Sequence, residues 1–259
     1  MQERQRDRAR YFRELASTSE RYFIPYLSDF MRIESGMNVL EIGCGEGGNL
    51  LPFARIGCNV TGVDLAANKI ANAEAFFAEA GAEGKFIASD IFSIKEFEST
   101  FDLIICHDVL EHIGDKSGFM SGVGRYLAPG GLAFIAFPAW QMPFGGHQQI
   151  CRSRVLSHLP FFHLLPAPLY RLVLKAGGEE DYRIRELLDI KSTRLPIELF
   201  EKILRTLPFE VIDRRFYLIN PHYEAKFGLK PRLLPHLIAS VPYLRDFFST
   251  SCFYLLRGK

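Results

Sequence analysis

Three carboxylates in the first hundred residues stand where a buried strand would end. Glu41 lies in Asn38-Val39-Leu40-Glu41-Ile42-Gly43-Cys44-Gly45-Glu46-Gly47-Gly48, Asp64 closes Asn59-Val60-Thr61-Gly62-Val63-Asp64, and Asp90 follows Lys85–Ala88 in Ser89-Asp90-Ile91. The first run is apolar, ends in glycines and gives way at Asn49 to an amphipathic segment. That is the pattern of a strand, a tight turn and a helix. Glycines let a backbone approach a ligand closely, and the free N–H groups opening a helix bind a polar or anionic group. From Gly43 to Asp64 is about twenty residues, the separation at which a carboxylate grips a ribose diol. The chemistry implied is the holding of a nucleoside. Taken alone the pattern also fits a nicotinamide dinucleotide.

A second group of residues has side chains that exchange protons. His107, Asp108, Glu111 and His112 leave the carboxyl end of an apolar run, Asp102–Cys106. In open α/β sheets ligands sit outside those ends, so this segment faces the reaction zone. Asp108 and His112 are one helical turn apart, yet there is no HExxH pattern and no second cluster at ligand spacing, and no metal is expected. His147 lies in Pro143-Phe144-Gly145-Gly146-His147-Gln148-Gln149. The two glycines allow close approach and freedom to close on an acceptor. A histidine titrates near neutral pH and takes a proton from a hydroxyl as general base. A loop histidine bonded to the backbone is the plainer reading of the same residue. His107 is a weaker candidate for the base, and His112 another.

The elements that must carry these groups alternate regularly. Strands are expected at about Asn38–Ile42, Val60–Val63, Lys85–Ala88, Asp102–Cys106 and Leu132–Phe137. Helices are expected between them, at about Asn49–Ile56, Ala67–Ala80 and Lys116–Tyr126. Gly57 and Gly81 close the first two, and Leu127-Ala128-Pro129-Gly130-Gly131 turns the chain into the fifth strand. Such alternation implies a parallel sheet with helices on both faces. After Pro138 it fails. Residues 138–195 are too long for a structureless loop and read as a helical lid over the carboxyl end of the sheet. Leu195–Leu207 then reads as a helix, Glu210–Ile219 as strand six, and Ser251–Leu256 as a seventh, antiparallel strand. The chain thus divides into N-terminal cap helices (1–36), a cofactor half (37–137), the lid (138–195) and a C-terminal part (196–259) with an insertion at 220–250.

The ordered set Glu-Ile-Gly-Cys-Gly-Glu-Gly at 41–47, Asp64, Phe101–Ile113 and Tyr126–Gly131 resembles the class I S-adenosylmethionine-dependent methyltransferases. It is most similar to the branch that includes ubiquinone-biosynthesis and cell-surface-glycan methyltransferases. The resemblance covers roughly Met37 to Pro138. It implies an α/β, Rossmann-like, seven-stranded, mostly parallel sheet with helical lid insertions, and S-adenosylmethionine as cofactor. It implies that Glu41, Gly43, Cys44, Gly45, Asp64, Leu65, Ser89, Asp90, Ile91, His107 and Asp108 face that cofactor. Asp90 would take the adenine amino group, Ile91 would lie on the ring, and His107 and Asp108 would approach the methionine part. N-terminal helices often cover the cofactor in this family, which makes Tyr11, Arg21 and Tyr22 candidates for the methionine end. The segment around His147 resembles methyltransferases linked to cell-surface sugars, and Tyr22 and Trp140 are candidates for an acceptor pocket. The reaction implied is O-methylation of a small molecule or glycan. The alternatives are a quinone or lipid precursor, or a cofactor-binding module without transfer activity.

Composition restricts the partners. The formal net charge is +1, which argues against a general nucleic-acid binder. Lys and Arg number 13 against 19 Asp and Glu in residues 1–137, and 18 against 11 in residues 138–259. The basic second half interleaves with Phe, Tyr, Leu and Pro, which suits an anionic or lipid-linked acceptor or a membrane surface. A solvated basic face is the alternative. Five cysteines, an odd count with no CxxC pair, and no signal peptide favour reduced thiols in the cytoplasm. No apolar run approaches the ~20 residues of a span. Oligomeric state is open.

Overall fold

Short apolar runs ending in glycine or a carboxylate do form the strands of one sheet. The computed structural model describes residues 7–258; the first six residues of the expected cap lie outside this range. The strands are Asn38–Ile42 (β1), Asn59–Asp64 (β2), Lys85–Ala88 (β3), Phe101–His107 (β4), Leu127–Phe137 (β5), Phe209–Ile219 (β6), Arg232–Leu233 (β7) and Ser251–Gly258 (β8). Their order is β3-β2-β1-β4-β5-β8-β6-β7. β1 to β5 pair in parallel, and β8 runs antiparallel between β5 and β6. The seven expected strands are present, and the two-residue β7 adds an eighth at the edge of β6. The central position of β4 explains its composition. Leu103, Ile104, Ile105 and Cys106 have no exposed surface, as a strand covered on both faces requires.

The turn before β5 is folded into the strand itself. Phe101 stands opposite Leu127 but Leu103 opposite Leu132, so Ala128-Pro129-Gly130-Gly131 bulges out of the ladder. Gly130 takes φ +81 there. The strand consequently starts five residues before Leu132.

Helices cover both faces. Arg8–Thr18 (α1) is capped by Asp7, whose carboxylate accepts from the Arg10 N–H, and it runs through a π-turn, Ser19–Phe23, into Ile24–Ser28 (α2). Pro25 comes directly after the π-turn, in the first turn of α2. These helices pack on one face with Leu51–Ile56 (α3) and Ala67–Glu79 (α4) through Phe12, Phe23, Phe53 and Phe77. Lys116–Tyr126 (α5) packs on the other face through Met120 and Val123, together with Phe200 of a later helix. α3 ends at Gly57, φ +98, as its sequence predicts.

Between β5 and β6 stand Arg154–His158 (α6), Ala167–Ala176 (α7), Asp181–Thr193 (α8) and Ile197–Leu204 (α9). α6 to α8 have their own small core, centred on Leu156, Tyr170, Leu174 and Leu187. Between β6 and β8 the chain forms His222–Phe227 (α10), β7 and His236–Ala239 (α11). All five cysteines are buried and unpaired. Among the described residues no helix is long and apolar enough to cross a membrane.

Candidate active site

The glycine turn after β1 and the carboxylate after β2 are locked to each other. Gly43, Gly45 and Gly47 take φ of +72, +54 and +78, which side chains resist. The Gly43 and Cys44 N–H groups donate to the Val63 carbonyl at 2.7 and 3.1 Å. A Cβ on Gly43 would stand 2.3 Å from Val109 Cγ2, whereas one on Gly45 would meet nothing within 4 Å. Asp64 accepts from the Gly45 N–H at 2.9 Å through Oδ2 and from the Ala66 N–H at 2.8 Å through Oδ1. Both oxygens therefore have a fixed direction and a remaining lone pair.

Asp64, Leu65, Ser89, Asp90 and Ile91 line one cavity of about 670 Å³ at the carboxyl ends of β1, β2 and β3, together with Phe92. Asp90 does two things. It caps its own turn, accepting from the Phe92 N–H at 3.0 Å, and it presents its carboxylate to the cavity. Leu65 is 79 % exposed at this cavity.

Glu41, Cys44, Gly45, His107 and His147 line a second cavity of about 420 Å³. Gly43, Lys69 and Asp108 line both. The residues expected to face one cofactor thus fall into two adjoining chambers that meet at the glycine turn. Asp108 adopts φ +55 with its N–H on the Ala136 carbonyl at 2.9 Å, which turns its carboxylate out between the chambers. His107 is buried against Phe23, ring centroids 5.1 Å apart. Glu41 is 1 % exposed. Asn49 donates to its Oε1 at 2.7 Å, while Oε2 has no hydrogen-bond partner among the described residues. Burial raises its pKa to about 8. Burial also pushes the Cys44 thiol above its ordinary range, which keeps it from acting as a nucleophile.

His147 sits at φ +55, with its ring edge-on to His112 at a centroid distance of 5.0 Å. Ligating atoms of Glu111, His112 and His147 lie within 4.8 Å of one another. This is a different grouping from the Asp108 and His112 pair that the spacing suggests. Glu111 is buried, neither oxygen has a hydrogen-bond partner among the described residues, and its pKa stands well above the ordinary carboxyl value because of desolvation. Burial, reinforced by His112, lowers His147 to about 4. The near-neutral titration expected from sequence is therefore moved, because the residue is packed rather than solvated. His147 also lines a third cavity, about 520 Å³, with Tyr182, Arg185 and Ile190 of α8.

The glycines before His147 are packed, not free. A Cβ on Gly145 would stand 2.2 Å from the Trp140 carbonyl oxygen, and one on Gly146 2.3 Å from His163 Cβ. They permit close packing within the lid, against the Trp140 backbone and the His163 side chain, instead of supplying a hinge. Trp140 is 6 % exposed and packs edge-on against His163, so it belongs to this packing. Tyr11 lines the second cavity. Arg21 and Tyr22 do not; both bond Glu224 and tie the N-terminal helices to α10. Lys69, Tyr223 and Lys226 line the site without being expected there. Lys69 follows Asp64 by five residues in a helix start, a readable signal for a cation beside that carboxylate, and its Nζ lies 4.0 Å from Asp64. Tyr223 and Lys226 reach the cavity from an insertion far along the chain, and no local pattern marks them.

The lid is built to weaken in acid. His163 has no exposed surface, and its ring nitrogens contact the Trp140 carbonyl at 2.8 Å and the Gln148 amide at 3.3 Å. Burial lowers it from 6.5 to about 4. Its folded pKa lies below the unfolded value, so its contribution is complete above about 6.5 and is lost as pH falls through about 4. Between pH 7.5 and pH 5 this group costs the fold about 2 kcal/mol. Urea titrations at the two pH values should show that loss in the wild type. His163→Gln, which cannot charge, should be less stable at pH 7.5 but lose less on acidification; an equal loss would refute the assignment.

Comparison with known proteins identifies the family and the fold. A family model described as a methyltransferase domain matches residues 6–163. A ubiquinone biosynthesis O-methyltransferase from Brucella anthropi is 35 % identical over 101 residues, 39 % of this chain and 41 % of that protein. The chain thus spans about two fifths of the length of the curated relatives it matches. Among solved structures, the magnesium protoporphyrin IX methyltransferase of Synechocystis with bound S-adenosylhomocysteine superposes with a TM-score of 0.54 at 15 % identity, over 95 % of this chain and 84 % of that one. The cyclase SpnF superposes equally, TM-score 0.54 at 16 % identity, over 90 % of this chain and 78 % of that one. At such identities the structures share the fold alone.

Proposed function

This chain belongs to the class I S-adenosylmethionine-dependent methyltransferases, and from that premise we propose that it moves a methyl group to an oxygen of a small molecule or glycan. The observation that carries the proposal is the meeting of two chambers at Gly43, Lys69 and Asp108, one lined by Asp64 and Asp90 and one lined by histidine and carboxylate. The residues fit the cofactor. Gly45 leaves open space where a side chain would stand, Asp64 has a lone pair free on each oxygen for a ribose diol, and Glu41 keeps one buried oxygen unbonded. Asp64 would hold the ribose, Asp90 the adenine amino group, and Ile91 and Leu65 the faces of the base. Gly43, Cys44, His107 and Asp108 would border the methionine part.

S-Adenosylmethionine supplies a methyl group already activated on a sulfonium. The chain's own residues contribute orientation, holding the acceptor oxygen in line at near contact distance. His147 takes the hydroxyl proton as the new O–C bond forms. It is neutral at pH 7, so its lone pair is available. His112 packs edge-on against its ring, and the Glu111 carboxyl lies beside both.

A second reading, a quinone or lipid precursor carrying a phenol, draws support from the curated relative's name and from the chamber beyond His147, which has room for a tail. The superposition with a cyclase keeps a third outcome in view, cofactor binding without transfer. The discriminating experiment supplies deuterated-methyl cofactor with hydroxylated sugars, simple catechols and short-tailed prenylated phenols, and weighs the products. Labelled product from the sugars or catechols supports the first reading; product from the tailed phenols alone selects the second. Binding without label in any acceptor favours the third.

A further inference from the structure

Two stretches of the second half expose apolar side chains beside cations and expose no acid. The first is Arg152–Gly178 in the lid. Val155 is 73 % exposed and Leu172 62 %, with Leu159, Phe161 and Leu169 also outward, beside exposed Arg152, Arg154, Arg171 and Lys175. The second is Phe227–Phe248. Leu237 is 83 % exposed and Tyr243 68 %, with Phe227, Leu229 and Leu233 also outward, beside exposed Lys230 and Arg232. Its one carboxylate, Asp246, is fully buried and accepts from the Ile197 N–H. The two stretches lie far apart in sequence yet touch, the Phe161 and Phe247 rings lying 6.3 Å apart.

Scattered surface leucines need no explanation, but large apolar side chains grouped with cations and without acids do. A monomer in water gains nothing by exposing them. α7 shows the arrangement at its simplest. Tyr170 and Leu174 face the lid core, while Leu169 and Leu172 face out with Arg171 and Lys175 between and after them. The combination of apolar tips for the acyl boundary and cations for phosphate is that of an interfacial surface.

We propose that the lid and the 227–248 insertion together form a docking surface for an anionic lipid bilayer. The charge favours an anionic occupant: within the two stretches six cations and no carboxylate are exposed, with Glu180 and Asp181 exposed only beyond Gly178, and so net positive a face would repel a second copy of itself across a two-fold axis. The insertion also leads to the active site. Tyr223 and Lys226 line the second cavity, and the next residue, Phe227, is already at the surface. A bilayer at this face would meet the chain one residue beyond a side chain that lines the second cavity, which would allow an acceptor to be taken from the membrane. Docking itself stands apart from the methyl-transfer reading; only this consequence for the acceptor rests on it.

The test is co-flotation of the full chain with vesicles of neutral phosphatidylcholine and of phosphatidylcholine with phosphatidylglycerol. The protein should float with the anionic vesicles and remain behind with the neutral ones, and salt should release it. Leu172→Glu in the lid and Leu237→Glu in the insertion should each abolish flotation. Arg171→Gln with Lys230→Gln should weaken partition by about fivefold per charge. Tm and cofactor binding should be unchanged in all of them, which separates lost docking from lost folding. Failure to float with anionic vesicles, or flotation that survives both leucine substitutions, overturns the proposal. So does a stable dimer in solution that either leucine substitution converts to monomer, since the face would then be a subunit interface.

Discussion

His147→Ala should slow methyl transfer by about 10²–10⁴-fold, the usual contribution of a general base, while cofactor affinity stays nearly unchanged. The residue borders the acceptor chambers and does not line the nucleoside cavity. Its lowered pKa sets the shape of the rate profile. The neutral ring is the active form, so kcat/KM should be flat from pH 8 down past 6 and fall only as pH approaches about 4. An unperturbed histidine would put that fall near 6.5. A low pKa also makes a weaker base, which places the expected loss toward the lower end of the range. The same acid limb in wild type and His147→Ala, with equal plateau rates, would remove the residue from the mechanism. An amine acceptor, needing only its neutral form, would show a much smaller loss.

Asp64→Ala should weaken S-adenosylmethionine binding by roughly ten- to a hundredfold, because hydrogen bonds to a charged group are worth about 1.5–3 kcal/mol. The carboxylate is also the acceptor for the Gly45 and Ala66 N–H groups, so the same substitution loosens the glycine turn. Asp64→Asn separates the two effects. It keeps an acceptor oxygen for the turn and loses the charge and one acceptor facing the ribose. Binding should fall in both variants, and thermal stability should fall more in the alanine. Wild-type affinity in both would show that Asp64 serves the turn alone.

The proposed donor half of this site can be read from the sequence as strand ends and a glycine turn, for a physical reason. β1, β2 and β4 are buried runs, the first followed by Gly43 and the second ending at Asp64, and period, length and breakers suffice to place them. Asp64 and Asp90 are strand-end residues and inherit that legibility. The acceptor half is less legible. It is assembled from α1, the loop after β5 and α10, whose relative placement depends on packing between distant segments. Tyr223 reaches the cavity only because α10 docks on α1. Gly145 and Gly146 suggest a hinge in the sequence and prove to be packing residues, because freedom and close packing demand the same side chain; only the neighbouring Trp140 carbonyl and His163 decide between them. The His147 pKa is hidden for a similar reason. Desolvation is a property of the assembled lid, not of a local pattern.

The methyl-transfer reading rests on S-adenosylmethionine occupying the chamber at the carboxyl ends of β1, β2 and β3. Isothermal titration of the purified chain with S-adenosylhomocysteine, and separately with NAD, addresses that occupancy without an acceptor. One saturable site for S-adenosylhomocysteine is expected, weakened by Asp64→Ala, with no heat from NAD. Absence of heat and of thermal stabilisation at millimolar S-adenosylhomocysteine would contradict it, and saturable binding of NAD in its place would reassign the chamber.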